Sequence, residues 1–245
     1  MSTAPAPTIG TYQEKSLHAA LKDWIAAPGD LTEQPVDGYV VDLVRDEELI
    51  EIQTRNFSAI KRKLAVLLQN HAVRLVHPIP ALKWIVRLDR DGTTVLSRRR
   101  SPKRGKLLDI FDELVSIPHL IAHPRFALEV LLVEVEETRC QDGQGSWRRR
   151  GWSIHDQILV GVESQHRFHG PADFAALLPA TLPELFTSSE LAADLKLRRG
   201  QGQKIVYCLR HMQAIEIVGK QGNAYQYART DVRSHSPQHG CGNDS

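Results

Sequence analysis

Between Val36 and Val76 the spacing of apolar residues changes twice, and those changes restrict the chain to a sheet with a helix across it. Residues 36–44 and 49–53 alternate with period two. The charged run Arg45-Asp46-Glu47-Glu48 separates them, so a hairpin is predicted. Residues 57–70 then place Phe57, Ile60, Leu64, Leu67 and Leu68 at helical spacing. Ala72–Val76 is again strand-like and is expected to stop at Pro78 and Pro80. Strand, helix and strand at this distance form a crossover, so the strand at Val73 is predicted parallel to the one at Ile50.

The chain has 245 residues, 42% hydrophobic and 24% charged, with a formal net charge of +2. That composition excludes a largely disordered chain and allows a substantial core. No apolar run reaches the roughly 20 residues of a membrane helix. Residues 1–10 lack the charged start and apolar stretch of a secretory leader and read as a flexible lead. Three scattered cysteines, Cys140, Cys208 and Cys241, make neither a disulfide framework nor a CxxC metal site, and fit a cytoplasmic location.

A first helix is predicted over residues 13–25 from Leu17, Ala20, Leu21, Trp24 and Ile25. Further strands are predicted at 83–88, 128–137 and 158–162, with a helix at 107–114 and a polar loop at 141–146. On the late strand Glu129, Glu134, Glu136 and Glu137 read as a solvent face. The basic residues fall in three runs: Arg98 to Lys106, Arg148 to Arg150, and Lys196 to Lys204. Such runs suit a phosphate backbone or a solvated surface. His119 and His123 have helical spacing but sit between Pro118 and Pro124 with no HExxH pattern, so a structural role is expected.

The hairpin carries acids where a core hairpin would not. A symmetric turn at 45–48 pairs position 42 with position 51, bringing Asp42 opposite Glu51 across the sheet. Glu51 and Gln53 point one way and Ile50 and Ile52 the other. Two adjacent carboxylates repel unless a cation lies between them, so the pair invites a metal. Glu14 opens the inward face of the first helix and is expected to supply a third carboxylate.

Helix with Glu14, strand with Asp42, Glu51-Ile52-Gln53, then helix and parallel strand: this order resembles the PD-(D/E)XK (restriction-endonuclease-like) nuclease superfamily over roughly residues 10–80. The resemblance implies an α/β fold with an αβββαβ core, and Mg²⁺ (or Mn²⁺) held by Asp42, Glu51 and Glu14 for phosphodiester hydrolysis. In that family a lysine two residues after the glutamate positions the attacking water. Here that position holds Gln53, as in E-x-Q members, and Lys61 on the next helix is a candidate for the missing cation. Asp37 is the other candidate for the first aspartate, although on a regular strand it faces away from Asp42.

Residues 171–229 resemble a winged helix-turn-helix domain. A helix at 171–178, a Thr187-Ser188-Ser189-Glu190 capping box, a turn at Arg198-Arg199-Gly200 and a helix over 201–212 precede a hairpin with a basic wing at 219–223. Arg199, Gln203, Lys204, Tyr207, Arg210 and Lys220 are the predicted DNA contacts. The organisation expected is a nuclease-like domain at 10–150, a winged helix at 155–230 and a disordered tail at 231–245. The function expected is a DNA endonuclease, with a homodimer favoured for cutting both strands. Two alternatives are a catalytically inactive DNA-binding regulator on a nuclease fold and a winged helix that binds protein.

Overall fold

The structure is a computed structural model that describes residues 15–142 and 151–230. Glu14, Arg148 to Arg150, Cys241, the lead and the tail lie outside the described residues. The architecture is mixed α/β, built on a mixed seven-stranded sheet. No helix among the described residues is long and apolar enough to cross a membrane.

Three antiparallel strands open the sheet: β1 (Leu31–Val36), β2 (Tyr39–Arg45) and β3 (Glu48–Ile52). β1, not foreseen as a strand, joins β2 through Asp37-Gly38, both left-handed with φ of 48° and 81°. That Asp-Gly pair is a strong hairpin signal. The β2–β3 register is the expected one, with Arg45↔Glu48, Val44↔Leu49 and Leu43↔Ile50. Helix α2 (Phe57–Leu67) then crosses to β4 (Ala72–Leu88), parallel to β3 from Glu48↔Ala72 to Ile52↔Val76. The order continues through β6 (Phe126–Cys140) to β7 (Ser153–Phe168), while β5 (Val95–Arg100) pairs the far half of β4.

Side chains alternate across a strand, so neighbouring residues feed two cores. Helix α1 (Lys15–Ile25) packs Leu17, Leu21 and Ile25 with Ile50, Val76 and Leu131. On the other face α2 packs Phe57, Ile60 and Leu64 with Leu49, Leu75 and Val130.

β4 differs from expectation. Pro78 and Pro80 do not end it; one strand of 17 residues runs through both. The reason lies in its neighbours. One edge of β4 pairs with β6 from Val73 to Arg87, while the other meets β3 only as far as Val76 and β5 only from Trp84. Val76 and Pro80 both turn their carbonyls to that second edge, accepting from Gln53 and Gly105. The N–H groups that Pro78 and Pro80 lack would point the same way, where no strand needs them.

The late-strand acids are also corrected. Glu129 and Glu137 are buried rather than solvent-facing. Glu129 meets Arg74 at 2.8 Å, Glu137 meets Lys83 at 2.9 Å, and Glu134 accepts from Trp84 Nε1 at 2.7 Å. Likewise the strand foreseen at 158–162 is 16 residues long and pairs along β6, so it belongs to the large sheet.

After β5 the chain returns to β4 at Gly105, whose N–H donates to Pro80 O at 2.9 Å. A Cβ there would lie 2.7 Å from that oxygen and 2.5 Å from Ile79 Cγ2. Gly105→Ala is therefore expected to lift this loop and cost on the order of 1–3 kcal/mol. A urea midpoint equal to wild type would exclude that close seat.

The loop leads into a 3-10 turn (Leu107–Ile110) and α3 (Phe111–Leu114). Beyond β7 come α4 (Pro171–Ala175), β8 (Phe186–Thr187), α5 (Ser188–Asp194), α6 (Arg199–His211), β9 (Ile215–Gln221) and β10 (Ala224–Arg229). The last three strands form their own antiparallel sheet, β8-β10-β9. Thr187 and Glu190 make the expected capping box, with Glu190 N–H donating to Thr187 Oγ1 at 3.2 Å. Helix α6 starts two residues earlier than predicted and buries Ile205 and Leu209, with Met212 buried just past its end. This region is fastened to the large sheet through Ile110, Phe111 and Leu114, which share one core with Phe174, Leu191 and Leu209.

Candidate functional site

A cavity of about 790 Å³ opens where α1, β2, β3 and α2 meet, lined by His18, Asp42, Glu51, Gln53 and Lys63 among others. It exists because the ladders around Asp42 are interrupted. The β1–β2 register omits the Glu33–Asp42 pair, and Glu33 is left-handed, with φ of 55°. On the other side the β2–β3 ladder stops at Leu43↔Ile50. Side chains replace the missing backbone bonds. Ile52 N–H donates to Asp42 Oδ2 at 2.8 Å. Asp42 is thus fixed by the opposite strand.

Two helices supply the balancing charge. His18 Nε2 of α1 lies 3.3 Å from Asp42 Oδ2. The Lys63 ammonium of α2 forms an ion pair with Glu51 and donates to Val40 O at 2.5 Å. Gln53 turns its amide to the β3–α2 loop, donating to Arg55 O at 2.5 Å. Its own carbonyl is held by buried His77, whose Nδ1 is 2.6 Å away. Burial keeps His77 neutral, so this nitrogen carries the proton and donates.

The two carboxyls differ. Burial pushes Glu51 up to about 7, against the pull of Lys63, and the charge of Asp42 adds to the rise. Burial also pushes Asp42 up, but its bonds from His18 and the Ile52 N–H outweigh that and hold it low. In return the bond to Asp42 raises His18 against burial. A native Glu51 with a raised pKa keeps a proton that the unfolded chain releases, so this group loses stability for the fold as pH climbs from about 4.5 to about 7. Glu51→Gln removes that loss, while leaving Lys63 without its counter-ion. In EDTA the variant is expected to be more stable than wild type by about 2–3 kcal/mol at pH 8, and by little at pH 4.5. Denaturant titrations at both pH values check this; a difference independent of pH would dismiss the buried acid as its source.

The model of a domain of unknown function, DUF8091, matches residues 15–169, the span from α1 to the end of β7. The chain belongs to the DUF8091 family. An uncharacterised protein of Treponema pallidum (strain Nichols) is 31% identical over 207 residues, covering 84% of this chain and 80% of its own length. That coverage exceeds the DUF8091 match, so the likeness extends beyond it. No solved structure matches the chain.

Within the DUF8091 domain, the cavity gathers three of the predicted residues, Asp42, Glu51 and Gln53. Glu14 lies outside the described residues. Lys61 is exposed and does not line the cavity; Lys63 does. Asp37 sits in the β1–β2 turn, 3.1 Å from His71, and is also absent from the lining. Lys61 and Lys63 flank the apolar stripe of α2 on opposite sides, and the turn of the helix relative to the sheet is what puts Lys63 at the cavity. His18 stands four positions after Glu14 in the sequence, the spacing that would have marked it on the predicted helix. Of the predicted DNA contacts, Arg199, Gln203, Tyr207 and Arg210 are exposed, Lys204 pairs with Asp112, and Lys220 lies over the Tyr225 ring at 5.1 Å.

Among the described residues no three His, Cys, Asp or Glu side chains form a ligand set. Asp42 and Glu51 nevertheless fit a hard cation. Both are oxygen donors facing one cavity, and burial raises the Glu51 carboxyl against the pull of Lys63. His119 stands edge-on to His211 at 4.8 Å and belongs to the packing of α6.

Proposed function

We propose that the chain is a metal-dependent DNA endonuclease of the PD-(D/E)XK kind, with Asp42 and Glu51 as metal ligands and a C-terminal winged helix that engages DNA. The observation that carries this reading is the acid pair: two carboxylates from adjacent strands facing one cavity, Asp42 anchored by the other strand's N–H and Glu51 with a lysine beside it. The order α1-β1-β2-β3-α2-β4, with β4 parallel to β3, supports the nuclease core. The order helix, strand, two helices and hairpin supports the winged helix.

A bound Mg²⁺ or Mn²⁺ would lower the pKa of a water and offset charge on the phosphate. The protein's own residues do the rest. Asp42, held ionised by His18 and the Ile52 N–H, offers a fixed anionic oxygen. Glu51 sheds its proton near neutrality, which Lys63 favours. Lys63 supplies the cation that the sequence lacks at Gln53.

A second reading, a DNA-binding regulator without cleavage, is favoured by one observation: His18 and Lys63 already offset both acids. The test is incubation of the purified chain with plasmid, linear and single-stranded DNA in Mg²⁺, Mn²⁺ or EDTA. Cleavage that needs metal is expected. No cleavage of any DNA, together with no calorimetric metal binding, would leave the regulator as the function.

A further inference from the structure

Three hollows in the surface adjoin through shared lining residues. The carboxylate cavity shares Thr54 with a smaller hollow of about 360 Å³ beneath Pro78 and Gly105. That hollow shares Lys103, Asp109 and Asp112 with a cleft of about 840 Å³ between the loop before the 3-10 turn and the turn joining α5 to α6. Lys103, Arg104 and Lys106 line one bank of the cleft, and Lys196, Arg198 and Lys204 the other. Two basic runs remote in sequence therefore face each other.

Five of these six cations are exposed and pair with no carboxylate among the described residues. Lys204 pairs with Asp112 at 2.9 Å, with both side chains roughly half exposed. A competing anion exchanges such a pair at little cost. Like charges gathered on two sides of a cleft repel one another and raise the local concentration of anions. No Phe, Tyr or Trp lines the cleft or the smaller hollow, so neither offers a stacking platform for bases.

We infer that this trough carries the sugar-phosphate backbone of one nucleic-acid strand from the start of α6 to Asp42 and Glu51. A row of phosphates matches cations spread along a cleft, whereas a small anion needs only one point. The middle hollow has the size of a small-molecule pocket, which admits single nucleotides and not a duplex. The exposed side of α6, with Gln203, Tyr207 and Arg210, stays open to a duplex beside the trough. The substrate class is therefore a duplex with a single-stranded tail. The destination of the strand rests on the nuclease reading; the cationic path does not.

The test uses the full chain and fluorescein-labelled DNA, either blunt or carrying a 15-nucleotide tail, with anisotropy read across a salt series in EDTA. Wild type is expected to bind the tailed duplex at least tenfold more tightly than the blunt one. The variant Lys103→Ala/Arg104→Ala/Lys196→Ala/Arg198→Ala should lose most of that preference and bind blunt duplex within threefold of wild type. Its log affinity–log salt slope on tailed DNA should fall by about 3, or ~0.7 per phosphate contact. All four side chains are exposed, so its melting point should match wild type. Equal binding of tailed and blunt DNA, or unchanged binding by the variant, overturns the trough. Cleavage assays on the same DNA in Mg²⁺ separate the two ideas. Cleavage with no tail preference sinks the trough alone, and tail preference without cleavage sinks the nuclease alone.

Discussion

Asp42→Ala and Glu51→Ala should each reduce Mg²⁺-dependent DNA cleavage at least about a hundredfold, the scale on which a single group acting on the reacting atoms contributes. DNA binding in EDTA should stay within about threefold of wild type, because the exposed cations of the C-terminal region are remote from the acids. The two variants differ in their side effects. Asp42→Ala also frees His18 and leaves the Ile52 N–H without its acceptor, costing on the order of 1 kcal/mol. Glu51→Ala leaves the half-buried Lys63 ammonium without its counter-ion. A sharper comparison lies on α2. Lys63→Ala should slow cleavage strongly, whereas Lys61→Ala should leave it near wild type, since Lys61 is exposed outside the cavity. Initial rates of plasmid nicking measure all four variants. Wild-type rates for Asp42→Ala or Glu51→Ala would remove the acid pair from the chemistry.

The largest stability effect is expected far from any chemistry. Arg74 on β4 is 3% exposed in its side chain and reaches Glu129 on β6 and Glu48 on β3, both at 2.8 Å. Glu129 is 1% exposed, and its other cation, Arg167 of β7, is more distant at 3.3 Å and half exposed. Arg74→Met should therefore strand a buried carboxylate on β6, between β4 and β7, and cost about 3–5 kcal/mol, a fall in Tm of about 10 °C. Arg74→Met/Glu129→Leu should recover most of that loss, because it removes the charge that was stranded. Denaturant titration of both variants decides the matter. A single variant as stable as wild type would mean that Glu129 is satisfied by Gln165 and Arg167 alone.

What could be read from the sequence was local or symmetric. The β2–β3 register followed from the turn at 45–48, the crossover to β4 from two changes of apolar period, and the start of α5 from Thr187 and Glu190. What could not be read depends on distant partners. Pro78 and Pro80 look like strand breakers until it is known that one edge of β4 changes neighbour there. Glu129 and Glu137 look like surface acids until Arg74 and Lys83 are placed opposite them. The cavity lies between these cases. Asp42 and Glu51 were brought together by arithmetic on the hairpin, while Lys63 needed the turn of α2 relative to the sheet. His18 needed the other helix.

β5 has a consequence for how the protein behaves among copies of itself. Among the described residues it pairs only with β4, and Val95 and Leu96 stand exposed at its start. An open strand edge with apolar side chains is a template on which another chain can add a strand. Arg98, Arg99 and Arg100 occupy the rest of that edge, all exposed, with Arg98 folded over the Trp84 ring at 4.0 Å. Arg98 is paired with Glu136 at 2.9 Å, so two copies approaching edge to edge would set Arg99 and Arg100 of each against those of the other. Arginines that look like a grip for nucleic acid thus also serve as a guard against aggregation.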